Sequence, residues 1–70
     1  MEKVSITGEF IKLDALLKFA ALVASGGEAK RVVADGLVAV NGETCLMRGK
    51  KIRPGDRVSF CGAELQVDKV

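Results

Sequence analysis

The spacing of the apolar residues changes at Gly36, and this change restricts the possible folds more than any other feature of the sequence. Before Gly36, two sets of apolar or small residues recur at i, i+3, i+4 and i+7, which is typical of helices with one buried face. After Gly36, apolar and polar residues alternate, which is typical of strands. The first set is Leu13, Leu16, Leu17 and Ala20, and the second is Ala29, Val32, Val33 and Gly36. The sequence therefore predicts two consecutive helices that cover one core, followed by several strands.

Capping signals indicate where the two helices begin and end. Ser25 is followed three residues later by Glu28, the pattern of a capping box in which each side chain bonds to the backbone N–H of the other residue. Gly36 suits the left-handed position at which many helices end. Asp14 lies in the first turn of the first helix, where a carboxylate complements the helix dipole. The first helix is predicted to end at residues 23–25, where the second begins.

Turn residues divide the remaining chain into strands. Asn41-Gly42 is a strong signal for a two-residue hairpin, because both positions of that turn need positive φ. Pro54-Gly55-Asp56 and Gly62-Ala63 indicate two further turns. The predicted strands are residues 3–7, a segment around Val38 and Val40, residues 43–47, residues 57–61, and a last strand with Leu65 and Val67. The expected fold class is α+β, with a short N-terminal strand, two helices and a small antiparallel or mixed sheet of about four strands.

The length of 70 residues permits one domain, residues 1–70, without a deep cleft, because so short a chain buries only roughly 60% of its unfolded surface. Histidine is absent, and no paired carboxylates, nucleophile elbow or P-loop occur. We therefore expect no catalytic residues and no enzymatic activity. Cys45 and Cys61 lack the spacing of zinc ligands and are expected to be reduced thiols, so neither a metal nor a cofactor is predicted.

The longest apolar run, residues 19–24, is far shorter than the about 20 residues that a membrane-spanning helix needs. No membrane segment is predicted, and we expect a cytoplasmic protein.

Basic residues are concentrated in one segment, although the net charge of the chain is only +2. Residues 48–57 contain five bases and one acid, so this segment carries +4 and the rest of the chain carries −2. Clustered like charges repel and lower stability unless a polyanion offsets them. The bases are Arg48, Lys50, Lys51, Arg53 and Arg57, and the acid is Asp56. This distribution indicates a phosphate-rich ligand. For the lysines and arginines of the helices, a solvated surface is an alternative explanation.

Gly26 and Gly27 occupy the predicted first turn of the second helix, where each costs helix stability of about 1 kcal/mol relative to alanine. One interpretation is that they keep backbone N–H groups accessible to an anion at the helix N-terminus. The other interpretation is tight packing between the two helices. The residues themselves favour neither.

Aromatic residues are few, with three phenylalanines and no tyrosine or tryptophan. A sheet that stacks bases needs exposed aromatic side chains on adjacent strands. The composition therefore favours recognition of phosphates and duplex shape over a base-stacking sheet.

An ordered set of short motifs between Lys12 and Phe60 resembles the RNA-binding domain named after protein four of the small ribosomal subunit, the S-four type. The resemblance is carried by Lys12-Leu13-Asp14, Leu16-Leu17, Ser25, Ala29-Lys30, Gly36, Val38, Val40-Asn41-Gly42 and Gly55-Asp56-Arg57-Val58. The segment from Ser25 to Lys30 is similar to the small stand-alone bacterial branch. Gly26 departs from the family pattern, because a basic residue usually follows the serine and would supply a phosphate contact.

The resemblance implies that the two helices and the hairpin form the RNA-binding face, the αL motif, and that the partner is a structured RNA such as ribosomal RNA, with ribosomal particles as its context. We expect a monomer that binds RNA without catalysis, mostly through phosphates. The residues expected to contact RNA are Lys12, Lys18, Ser25, Gly26, Gly27, Lys30, Arg31, Asn41, Arg48, Lys50, Lys51 and Arg53.

Two other functions remain open at this point. Two helices joined by a short turn are similar to a DNA-binding helix-turn-helix, although the second helix lacks Asn or Gln for reading bases. The late strands are also similar to β-grasp domains, which would make the chain a protein-interaction module.

Overall fold

The computed structural model describes residues 2–70, which form two helices and seven strands. The helices are α1 (Leu13–Phe19) and α2 (Gly26–Ala34). The strands are β1 (Glu2–Ile6), β2 (Ile11–Lys12), β3 (Val38–Val40), β4 (Glu43–Thr44), β5 (Lys51–Ile52), β6 (Arg57–Phe60) and β7 (Ala63–Lys69). The predicted α+β class, with an N-terminal strand and two helices before the remaining strands, is confirmed.

Five of the strands form one mixed sheet in the order β1-β7-β6-β3-β4. β1 pairs with β7 in parallel, and the other neighbours are antiparallel. The first strand of the chain therefore lies at one edge of the sheet beside the last strand. β2 and β5 form a separate antiparallel ladder that the sequence did not predict.

The core lies between the two helices and one face of the five-stranded sheet. Along β1 and β7 the buried residues alternate with residues that are more exposed, as in the pairs Val4 and Ile6 or Leu65 and Val67. The helices supply the buried members of the two predicted apolar sets, whereas the last members, Ala20 and Gly36, are half-buried and follow the helix ends. The opposite face of the sheet is polar, and its middle is marked by Gln66, which pairs with Lys3 on one side and Arg57 on the other.

The turns follow the prediction at one hairpin and shift by one residue at the other. Asn41 and Gly42 have φ of 52° and 85°, as expected for a tight turn between β3 and β4. The second tight turn is Cys61-Gly62 and not Gly62-Ala63, because Ala63 already pairs with Phe60. The predicted return strand 43–47 is also wrong in length, since only Glu43 and Thr44 belong to β4.

The helix ends agree with the capping signals for α2 and differ for α1. Ser25 Oγ accepts the N–H of Glu28 at 3.2 Å, whereas the Glu28 carboxylate accepts from Ala24 and not from Ser25. Gly36 follows α2 with φ of 74°. α1 ends at Phe19, well before residues 23–25, because Ala21 adopts φ of 60° and its N–H bonds back to Lys18 O. Within residues 2–70, neither helix is long and apolar enough to cross a membrane.

Candidate functional site

The ladder of β2 and β5 brings the basic segment to the beginning of α1. Lys12 pairs with Lys51, and the next pair, Ile11 and Ile52, supplies the buried Ile52 to the core. The first two N–H groups of α1 donate to the same segment, from Leu13 to Lys50 O and from Asp14 to Arg48 O, both at 2.9 Å. These bonds fix the backbone of residues 48–51 against the helix. The structure thereby groups four exposed cations, called here the cationic cluster: Lys12, Arg48, Lys50 and Lys51.

Two members of the cationic cluster face each other although their charges are alike. Lys12 and Lys51 are directly opposite in an antiparallel pair, where Cβ atoms lie about 4.5–5.5 Å apart. Like charges in this arrangement lower stability. Lys51 is partly compensated, since its Nζ lies 5.0 Å from the centre of the Phe10 ring. In residues 2–70, no lysine or arginine side chain donates a hydrogen bond to another residue. The cationic cluster is therefore suited to an external anion.

Lys18 and the N-terminus of α2 adjoin the cationic cluster through Asp14. A shallow depression of about 150 Å³ is lined by Asp14, Ala15, Lys18 and Gly26. The Asp14 N–H donates to Arg48 O, which places the depression near the cluster. The Asp14 carboxylate is turned back onto α1, where it accepts the N–H of Ala15 at 2.8 Å. Among the described residues that line this depression, Lys18 is the one cation.

The glycine pair of α2 is not explained by packing between the helices. A Cβ atom built on Gly26 would meet nothing within 4 Å, and one on Gly27 would meet only Ser25 Oγ at 3.9 Å. Both N–H groups precede the first helical hydrogen bond, which Ala29 donates to Ser25 O. The packing interpretation is therefore wrong, and the open space leaves the helix N-terminus accessible to a ligand.

Asn41 has a structural role that its motif did not reveal. Its Oδ1 accepts the N–H of Arg57 at 2.9 Å, and its Nδ2 donates to Asp56 Oδ1 at 3.2 Å. Asp56 Oδ2 in turn accepts the N–H of Arg53 at 2.9 Å. The Asn41 side chain thus joins the β3–β4 hairpin to the turn before β6. It also lines an open pocket of about 370 Å³ with Lys50, so it borders the cationic cluster.

The other cations of the basic run and of α2 lie away from the cationic cluster. Arg57 belongs to the polar face of the sheet, opposite the helices, because its neighbour Val58 is fully buried. Arg53 lies on the turn between β5 and β6. Lys30 and Arg31 are exposed on α2, between the buried residues Ala29 and Val32. The basic run 48–57 is therefore divided between two faces of the molecule.

Sequence reasoning missed a pair of exposed phenylalanines. Phe19 is 64% exposed and Phe10 is 40% exposed. Both line one open pocket of about 360 Å³, together with Ile6 and Ile11. A signal for Phe19 was available, because it falls outside the apolar set of the first helix. Phe10 gave no such signal, since its position depends on the ladder of β2 and β5.

No group of three or more metal-ligating side chains occurs in the described part of the chain, residues 2–70.

The fold and the site together define a class of protein: a small α+β domain in which two helices and a short ladder present exposed cations on one side of a mixed sheet. The sequence matches the S4 domain over residues 4–68, and the chain belongs to the S4 domain family. The resemblance to the S-four type is confirmed.

Two known proteins are similar to this chain over most of its length. The probable ribosome maturation protein RlbA of Bacillus subtilis (strain 168) is 41% identical over 59 residues, which are 84% of this chain and 83% of that protein. The solution structure of YbcJ from E. coli has 35% sequence identity and a TM-score of 0.75, and the match covers 97% of this chain and 87% of that chain. That structure is described as revealing an ALFAL motif involved in RNA-binding.

Proposed function

We propose that this protein is a non-catalytic module that binds structured RNA, with ribosomal RNA as the partner. The observation that carries the proposal is the cationic cluster: four exposed cations are grouped at the start of α1, and two of them, Lys12 and Lys51, are directly opposite in the ladder. The repulsion between these two lysines lowers the stability of the free protein. The phosphates of a nucleic acid would offset it.

The relatives support RNA as the polyanion. YbcJ, which shares the fold, is described as having a motif involved in RNA-binding. RlbA is described as a probable ribosome maturation protein. Carried over to this chain, these descriptions favour a structured RNA of the ribosome, and ribosomal particles as the context in which the module acts.

The proposed contacts extend from the cationic cluster along the two helices. Lys18 lies beside the N-terminus of α2, where Ser25, Gly26 and Gly27 offer a backbone that an RNA phosphate can approach closely. Asn41 borders the cluster on the hairpin side and positions that hairpin. A large RNA would also reach the exposed cations beyond the cluster, which are Lys30, Arg31 and Arg53. Such contacts read phosphates and duplex shape and carry little base specificity.

The absence of catalysis is part of the proposal. Histidine is missing from the chain, and two of the acids near the site are engaged in local structure. Asp14 accepts from Ala15, and Asp56 accepts from Asn41 and Arg53. These carboxylates already accept hydrogen bonds from neighbouring protein groups and are poorly placed to act as general bases.

A pair of matched double variants tests the proposal. Lys50→Gln with Lys51→Gln removes two charges from the cationic cluster. Lys3→Gln with Arg57→Gln removes two charges from the polar face of the sheet and gives the same net charge. We expect the first pair to weaken binding of ribosomal RNA at least about tenfold, because hydrogen bonds to charged groups are worth about 1.5–3 kcal/mol each. The plot of log affinity against log salt should also become shallower by roughly 1.5.

The measurement is a fluorescence-anisotropy titration at several salt concentrations, with circular dichroism to verify folding. Equal losses in the two double variants would show that only net charge matters and would contradict the proposed site. Competition with duplex DNA of the same length addresses the helix-turn-helix alternative, since DNA that displaces the RNA at equal concentration would contradict RNA as the preferred partner.

A further inference from the structure

The pocket between Phe10 and Phe19 has no role in the proposed phosphate contacts. Two of the three phenylalanines of the chain line it, and Phe19 leaves 64% of its surface in solvent. Exposed aromatic side chains that share a pocket mark a binding surface more often than isolated exposed apolar residues do. None of the residues that line this pocket carries a charge.

The pocket is continuous with the cationic cluster through Phe10. Lys51 Nζ lies 5.0 Å from the centre of the Phe10 ring, and Lys51 is paired with Lys12. An uncharged aromatic pocket thus lies beside the exposed cations Lys51 and Lys12. A nucleotide matches both parts, because its uncharged aromatic base suits the pocket and its anionic phosphate suits the cations. A peptide segment would need an acidic side chain at the same spacing to match both parts.

We infer that the pocket between Phe10 and Phe19 receives one unpaired nucleobase, whose phosphate contacts Lys12 and Lys51. The inference rests on the proposed function and deepens it, because it names the RNA feature that the module prefers: a paired stem with an extruded base. The base stacks on phenylalanine, and the stem lies along the cationic cluster. Stacking of this kind tolerates any base, since every base has an aromatic face.

The test compares two RNA probes, a fully paired hairpin and the same hairpin with one bulged adenosine, at low ionic strength where phosphate contacts alone give measurable binding. The full chain should bind the bulged hairpin about 5- to 150-fold more tightly, the range that one base–aromatic stack provides. Phe19→Ala should remove this preference and leave the affinity for the paired hairpin unchanged. Leu37→Ala is the matched control, because Leu37 is also an exposed large apolar residue, at 52%, and lies outside the pocket.

A second variant gives a direct signal from the pocket. The chain contains no tryptophan, so Phe19→Trp introduces a single indole reporter. We expect its fluorescence to be quenched by the bulged hairpin and not by the paired one. Equal affinity for the two hairpins, or a preference that persists in Phe19→Ala, would overturn the inference while leaving RNA binding intact, and would point to a protein partner for the pocket. Failure of both hairpins to bind would overturn the proposed function as well.

Discussion

At the scale of single residues, the pairing of Lys12 with Lys51 is unfavourable for stability and favourable for binding a phosphate. Both side chains are exposed, and their backbones are placed by the ladder of β2 and β5. Nothing in the ladder requires two lysines, because the buried anchor is the neighbouring Ile52. The repulsion between them is therefore a cost to the free protein that a bound phosphate would relieve.

Reversing one of these charges should have opposite effects on stability and on binding. Lys12→Glu places a carboxylate opposite Lys51 and next to the N-terminus of α1, and both changes are favourable. We expect the free energy of unfolding to rise by about 0.5–1 kcal/mol in urea denaturation. We expect RNA affinity to fall at least about tenfold in the same buffer. Lys3→Glu, on the opposite face of the sheet, is the control. A variant that lost stability and retained its affinity would refute this account of the pair.

At the scale of secondary-structure elements, the sequence predicts those parts that depend on local signals. The two helical sets and the Asn41-Gly42 turn follow from neighbouring residues, and the structure contains them. β2 and β5 have two residues each, separated by 38 positions, and no local pattern marks them. Their pairing is a long-range contact that follows from burying Ile52. Candidate site residues could therefore be proposed from the sequence, but the grouping of four of them into a cluster could not.

The end of α1 shows a second reason for error at this scale. Ala21 takes a left-handed conformation, with φ of 60°, at a position where glycine is usual. Without glycine, the sequence gives no stop signal after Phe19, and the helix was predicted to run on to residues 23–25. The sequence also gives no local signal that Arg57 lies on a different face from Arg48, Lys50 and Lys51. The register of β6 turns Arg57 away from the helices.

The first turn of α2 provides the prediction at this scale. Gly26→Ala with Gly27→Ala should stabilise the free protein by about 0.4–1 kcal/mol for each substitution, because alanine restricts the unfolded chain and both Cβ atoms have space. The same methyl groups should weaken RNA binding, since a phosphate can no longer approach the helix N-terminus as closely. Thermal unfolding and RNA titration measure the two effects on one sample. Greater stability with unchanged affinity would remove the glycine pair from the binding surface.

At the scale of the whole molecule, the two faces of the sheet have different characters. One face is covered by the helices, and the side of the molecule that carries them also carries the cationic cluster and the pocket of Phe10 and Phe19. The other face is exposed and bears a mixture of charges around Gln66. The net charge of +2 does not reveal that the two sides of the molecule differ in charge distribution. Binding is thus expected to be one-sided, and the polar face remains free in the complex.

Nuclear magnetic resonance can test this one-sidedness without any substitution. In a titration of ¹⁵N-labelled protein with RNA, the amide signals of residues 12–18, 25–27 and 48–51 should shift progressively, because these backbones lie under the proposed phosphate contacts. The side chains of Lys3 and Gln66 lie on the opposite face of the sheet, and the amides of these two residues should shift little, so they act as internal controls. Added salt should reverse the shifts together, since one electrostatic interface accounts for all of them. Large shifts at Lys3 and Gln66 would show that RNA contacts the polar face, and would contradict an interface formed by the helices and the cationic cluster.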